Sequence, residues 1–174
     1  MAESAAKRHA TSDQLLGRLA ELGISAETQT HAPVMTVIES RRLRGDIQGA
    51  HAKNLFLKDK KQALWLVVTE ECQVVDLKRL RTFIGSAALS FGSAELLENV
   101  LGVTPGAVTP FAIINDTLGK VTVVLDLALV SNTKVNFHPL INTRTTTVDS
   151  AGLLAFLKAQ NHDPLIVDFS VTVA

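Results

Sequence analysis

Apolar residues recur along this chain with two different periods, and the switches between them mark its elements. Leu15, Leu16, Leu19 and Leu22 fall on one stripe of a helix that Thr11 or Ser12 can cap and Gly23 closes. "ISAETQTH" then alternates as a strand, Pro33 breaks the regularity, and the basic run before Gly45 predicts a short helix. "KNLFLKD" and "ALWLVVT" read as the two strands of a hairpin turning at "DKKQ". "DLKRLRTFIG" predicts a helix from an Asp76 cap to Gly85, and "SAELLENVLG" predicts another that ends near Gly102. After a loop containing Pro105, Gly106 and Pro110, "FAIINDTLGKVTVVLDLAL" reads as a hairpin, two apolar runs around Asn115, Asp116 and Gly119. "KVNFHPLINTRTTTVD" supplies a strand ending at Pro139 and then a Thr-rich strand. "DSAGLLAFLKAQNH" is a helix capped by Asp149 or Ser150, and "PLIVDFSVTVA" reads as a closing strand. Strands joined mostly through hairpins, with helices between the groups, predict a single mixed α/β (α+β) domain.

Composition narrows the class. A chain of 174 residues with 47% hydrophobic residues can bury a core of its own and is not globally disordered. No apolar run approaches the ~18 residues of a membrane span, and "MAESAAKRHATSDQ" lacks the apolar centre of a signal peptide. The expected location is therefore cytoplasmic, with no membrane partner. The single cysteine, Cys72, excludes an internal disulfide and follows two acids, a poor setting for a reactive thiolate. Seventeen basic and seventeen acidic residues cancel, which argues against sequence-blind coating of nucleic acid. Between Arg41 and Lys61, however, seven basic residues face only Asp46 and Asp59. That run fits a local phosphate-facing surface, and it fits a solvated helix face followed by a charged turn equally well.

Standard catalytic signatures are absent: there is no G-x-S-x-G, P-loop, dinucleotide fingerprint or H-E-x-x-H, and the five histidines show no metal-like spacing. Asp126 interrupts an apolar strand, where it either faces solvent or answers a backbone donor. Three features remain. Lys53 and Asn54 stand at the mouth of an apolar strand and, by alternation, point to opposite faces. A lysine there snorkels to solvent or meets a negative partner. Gly106 to Pro110 forms a G-x-x-x-P loop that either lets backbone N–H groups approach a ligand or is plain punctuation. His138 ends an alternating strand just before Pro139.

Taken in order, "HAPVMT", "AKNLFLKDKK", "GAVTP", "IINDTLGKVTVVLD" and "VNFHPLINTRTTTV" resemble the YbaK and prolyl-tRNA synthetase editing-domain family over about residues 13 to 169. Within it the chain looks closest to the free-standing proteins that remove alanine from mischarged proline tRNA. The resemblance implies a mixed, mostly antiparallel, partly closed sheet surrounded by helices; the expected organisation is an editing domain over residues 11–174 behind a flexible segment 1–10, which has no counterpart in the family. It implies a trans-editing aminoacyl-tRNA deacylase that needs no cofactor or metal, acts on alanyl-tRNA(Pro), and has prolyl-tRNA synthetase as a candidate partner. The catalytic group would be Lys53 at the tRNA 3′ end with Asn54 beside it, Gly106, and His138 at the border of the amino-acid pocket. Ala107, Val108, Thr109 and Pro110 would hold the ester, while Val34, Met35, Thr36, Val37, Ile38 and Phe137 would wall the pocket. Arg41, Arg42 and Arg44, with Lys53, are the expected tRNA contacts. No side-chain nucleophile is implied: water attacks the ester, helped by backbone amides and the terminal ribose hydroxyl. The logic is a sieve that admits alanine and is too small for proline. Two alternatives stay open, a cysteinyl-tRNA(Pro) deacylase of the same family and a silent module that docks on tRNA or a synthetase.

Overall fold

The computed structural model describes residues 8–33, 39, 42 and 47–172. The chain runs helix α1 (Ser12–Glu21), strands β1 (Ala26–Thr30), β2 (Ala50–Asp59) and β3 (Leu64–Glu70), α2 (Leu77–Ile84), β4 (Leu89–Phe91) and α3 (Ala94–Leu101). It continues through β5 (Val121–Asp126), α4 (Leu127–Val130), β6 (Lys134–Phe137), β7 (Arg144–Asp149), α5 (Ser150–Ala159), β8 (Leu165–Val167) and α6 (Phe169–Thr172). The strands join in the order β1-β7-β6-β2-β3-β5-β8, with β4 added on β2. Pairings β1/β7, β6/β7, β2/β3 and β2/β4 are antiparallel, whereas β2/β6, β3/β5 and β5/β8 are parallel. This is the mixed, mostly antiparallel sheet with helices that the sequence implied. Among the described residues no helix is long and apolar enough to cross a membrane.

Local chemistry sets most boundaries. Thr11 and Gln14 form a reciprocal capping box on α1. Asp76 and Ser93 accept backbone N–H bonds at the starts of α2 and α3, and Gly85 and Gly102 end those helices in the left-handed conformation. The β2–β3 turn is organised by Asp59, whose carboxylate accepts from the N–H groups of Lys61, Ala63 and Ala87. Burial alone would raise that carboxyl; the backbone donors outweigh it and hold it below its ordinary value. Asp126 also proves to be a backbone answer: it accepts from Thr69 Oγ1, Glu70 N and Ala128 N, which ends β5 and caps α4.

Two expectations are corrected. Residues 110–115 are not the first strand of a hairpin but a 3-10 helix, opened by Pro110 and capped by the Thr109 hydroxyl. Pro110, Phe111, Ala112 and Ile113 are all buried, so that run carries no alternation to separate strand from buried helix. β5 pairs in parallel with β3 instead. At the end of the chain only Leu165–Val167 is strand, because Asp168 accepts from Ser170 N and turns the backbone into α6.

The sheet is covered on both faces. On one, Leu15 and Leu19 of α1, Leu97 and Leu101 of α3, Phe111, and Phe156 of α5 pack with Phe56, Val68, Val123 and Val135 into the main core. Phe111 stands edge-on to both Phe137 and Phe156. On the other, Leu80 and Ile84 of α2 and Phe169 of α6 pack on Leu57, Trp65, Val67 and Val124.

Candidate functional site

Alternation along β2 sends Ala50, Ala52, Asn54 and Phe56 toward the main core, and His51, Lys53, Leu55 and Leu57 toward the second face. His51 is registered with Asn136 of β6, so the second face continues through Asn136 and Thr147 to Thr145, His31 and His138. Where β2 carries Leu55 and Leu57 this face is apolar; beyond Lys53 it becomes polar. The change of character occurs at Lys53.

The edge of β2 opens at the same place. β6 pairs with β2 only at Ala50 and His51, and β4 begins pairing at Leu57, with Gly92 N donating to the Phe56 carbonyl. Because backbone groups alternate sides, the N–H and C=O of Asn54 point toward the stretch between these two neighbours. The mouth is held in place by unusually close packing. Gly49 sits at φ 104°, and a Cβ there would come within 2.8 Å of the Lys134 carbonyl. Asn136 Nδ2 donates to the carbonyls of Gln48 and Ala50 at 3.0 and 3.3 Å, while its Oδ1 accepts from Thr147 Oγ1 at 2.5 Å. Asn136 thus staples the start of β2 to β6 where the ladder has only two rungs.

Lys53 is half-buried, and its amine donates to the Gln73 carbonyl. A carbonyl satisfies one proton of the ammonium and carries no charge to set against it, so the position is suited to an anion. His138 Nδ1 donates to the Arg144 carbonyl at 2.9 Å, which in the neutral ring places the lone pair on Nε2. His31 lies against it, ring centroids 6.3 Å apart, with Nδ1 on the Ala32 carbonyl and Nε2 on Thr145 Oγ1 at 2.8 Å.

The loop residues divide. Gly106 lies in a short 3-10 turn, Pro105–Ala107, and is exposed; a Cβ there would meet nothing nearer than Asn142 Nδ2 at 3.6 Å. Packing therefore does not demand glycine at this position. Ala107, Thr109, Pro110 and Phe137 are buried, and Val108 packs against the main core, so any ligand contact from the loop is through its backbone or the open Gly106. Arg42 is exposed. Val34, Met35, Thr36, Val37, Ile38, Arg41 and Arg44 lie outside the described residues.

The fold brings Lys53 and His138 onto one face, places Asn54 at the edge between the faces, and sets Gly106 beside the β6–β7 turn at Asn142. Sequence reasoning missed His31, Gln73 and Asn136. Only His31 left a signal, since it opens the "HAPVMT" stretch. Among the described residues no group of three or more His, Cys, Asp or Glu converges as a metal site.

The aminoacyl-tRNA editing domain model matches residues 31–156, from His31 through α5. The chain belongs to the aminoacyl-tRNA editing-domain family. The prolyl-tRNA editing protein ProX of Acetoanaerobium sticklandii is 38% identical over 151 residues, covering 85% of this chain and 91% of that protein. Prolyl-tRNA synthetase associated domain-containing protein 1 of Bos taurus is 38% identical over 157 residues, covering 87% and 91%. A solved structure provisionally described as a trans-editing enzyme for prolyl-tRNA synthetase superposes with a TM-score of 0.70 over 92% of this chain and 98% of that one, at 18% identity. The editing-domain fold is thus matched over 92% of this chain, and the motif residues at the β2 opening fall inside the segment that the family model matches.

Proposed function

We propose that this editing domain is a trans-acting aminoacyl-tRNA deacylase that hydrolyses the ester of alanine mischarged onto tRNA(Pro). The observation that carries the reading is Lys53: a half-buried cation bonded to the Gln73 carbonyl, beside a stretch of β2 that neither β4 nor β6 pairs, and on the same face as His138. An RNA 3′ end supplies the missing negative charge as a phosphate, and the sequence likeness to ProX supports proline tRNA as the carrier.

In this reading Lys53 holds the terminal nucleotide and the acyl group enters the opening of β2. The exposed Gly106 turn offers its backbone to the ester, because no Cβ stands in the way. His138, its Nδ1 proton committed to the Arg144 carbonyl, borders the amino-acid side chain with a defined tautomer. No described side chain is set as a nucleophile, so water attacks and the site contributes by position and by stabilising the developing oxyanion. Specificity follows from volume: a pocket that accepts a methyl group and excludes a pyrrolidine ring corrects an error that a proline-sized synthetic site makes.

The test is a deacylation panel with alanyl-, cysteinyl-, seryl- and prolyl-tRNA(Pro). The expected result is fast loss of alanine with prolyl-tRNA spared. Preferential loss of cysteine would move the assignment to the cysteinyl enzyme. Binding of tRNA without turnover of any ester would leave a docking module.

A further inference from the structure

One polar atom at the opening of β2 has no partner. Asn54 Oδ1 is fully buried and accepts no hydrogen bond, although the buried side chains of Asn136, Asp59, Asp116 and Asp126 elsewhere in the sheet and its turns are bonded to backbone or side-chain partners. An orphaned buried acceptor is costly and survives where a ligand completes it.

Charge decides what that ligand group is. The esterified amino acid carries an α-ammonium and hangs from an anionic nucleotide. Lys53 attracts the nucleotide and repels the ammonium, and Lys53 and Asn54 project from adjacent residues to opposite faces of β2. The ammonium therefore belongs on the Asn54 side. The buried carboxylates Asp59, Asp116 and Asp126 are committed to backbone donors. Among the described residues, the neutral oxygen of Asn54 is the buried acceptor left open on β2. We propose, building on the deacylase reading, that the Asn54 carboxamide oxygen accepts a hydrogen bond from the α-ammonium of the bound aminoacyl group. Lys53 and Asn54 then sort the two charges of the substrate across a single strand.

The test reads binding rather than turnover, so that it stands apart from the hydrolysis panel. Two stable ligands are compared, 3′-alanylamino-3′-deoxyadenosine and 3′-propionylamino-3′-deoxyadenosine, which differ only by the amino group. Wild type is expected to prefer the alanyl compound about ten- to hundredfold, the range for one charge-assisted hydrogen bond in a partly dry site. Asn54→Ala should lose that preference by weakening the alanyl compound alone, whereas Asn54→Asp, which keeps an acceptor, should retain it. Thermal unfolding of both variants checks that they are folded. An Asn54→Ala protein that still prefers the alanyl compound, or a wild type that binds both equally, overturns the proposal. If binding behaves as expected and the tRNA panel shows no hydrolysis, the deacylase reading fails while the ammonium contact stands.

Discussion

Replacement of Lys53 by alanine is expected to lower single-turnover hydrolysis of alanyl-tRNA(Pro) roughly ten- to hundredfold at saturating tRNA, with little change in stability. In the free protein the amine donates a hydrogen bond to the Gln73 carbonyl. Its removal therefore costs the fold about 1 kcal/mol or less. The loss should fall on the rate at saturation, beyond any loss of affinity, if the amine tightens on the 3′ end as the ester is attacked. Lys53→Arg should rescue poorly, since a planar fork does not fill the place of a compact ammonium. A fully active Lys53→Ala protein would mean that the lysine serves only its contact with the Gln73 carbonyl and takes no part in the reaction.

The largest effect on stability is expected at the opposite end of the domain. His162 Nε2 meets Asp116 Oδ2 at 2.9 Å while its Nδ1 meets the Gln160 carbonyl at 2.6 Å. Both ring nitrogens thus face acceptors. The two side chains are 5% and 2% exposed, and Asp116 also accepts from Lys120 N and Val121 N. The pair fixes the end of α5 to the turn that leads from the 3-10 helix into β5. His162→Ala removes one of the three partners of the buried Asp116 carboxylate and should cost ~1.5–3 kcal/mol, a fall in Tm of roughly 5–10 °C for a domain of this size. Urea unfolding should show the lower midpoint with an unchanged slope. Deacylation well below the new Tm should survive, because neither residue lies at the β2 opening. A loss under 1 kcal/mol would show that water replaces the ring as a partner.

How far the sequence reveals the fold depends on whether the determining interactions are local. The capped helices α2 and α3 and the β2–β3 hairpin follow from neighbouring residues: Asp76 and Gly85, Ser93 and Gly102, and the Asp59 turn. Phe111 to Ile113 misled the pattern because a short run buried on all sides has no polar face. The parallel pairings of β2 with β6 and β3 with β5 join segments far apart in sequence and leave no local trace. The site was legible in the same proportion. Alternation correctly separates Lys53 from Asn54, but it cannot show that both faces of β2 are covered, or that the ladder opens between them. Asn136 looks like any strand asparagine until its bonds to Gln48 and Ala50 place it as the staple of that opening. His31 and His138 lie 107 positions apart and meet only through β1, β7 and β6.

The central claim is that the opening of β2 between Lys53, Asn54, the Gly106 turn and His138 receives the aminoacylated 3′ end. The most direct measurement is a structure of the protein with a 5′-phosphorylated 3′-alanylamino-3′-deoxyadenosine. The expected result is the nucleotide phosphate at Lys53, its amine drawn from the Gln73 carbonyl, with the alanyl group between the edge of β2 and the Gly106 turn. Ligand seated instead in the cavity lined by Arg8, His9, Gln14, Asn115 and Thr117, with Lys53 still on Gln73, would contradict the account.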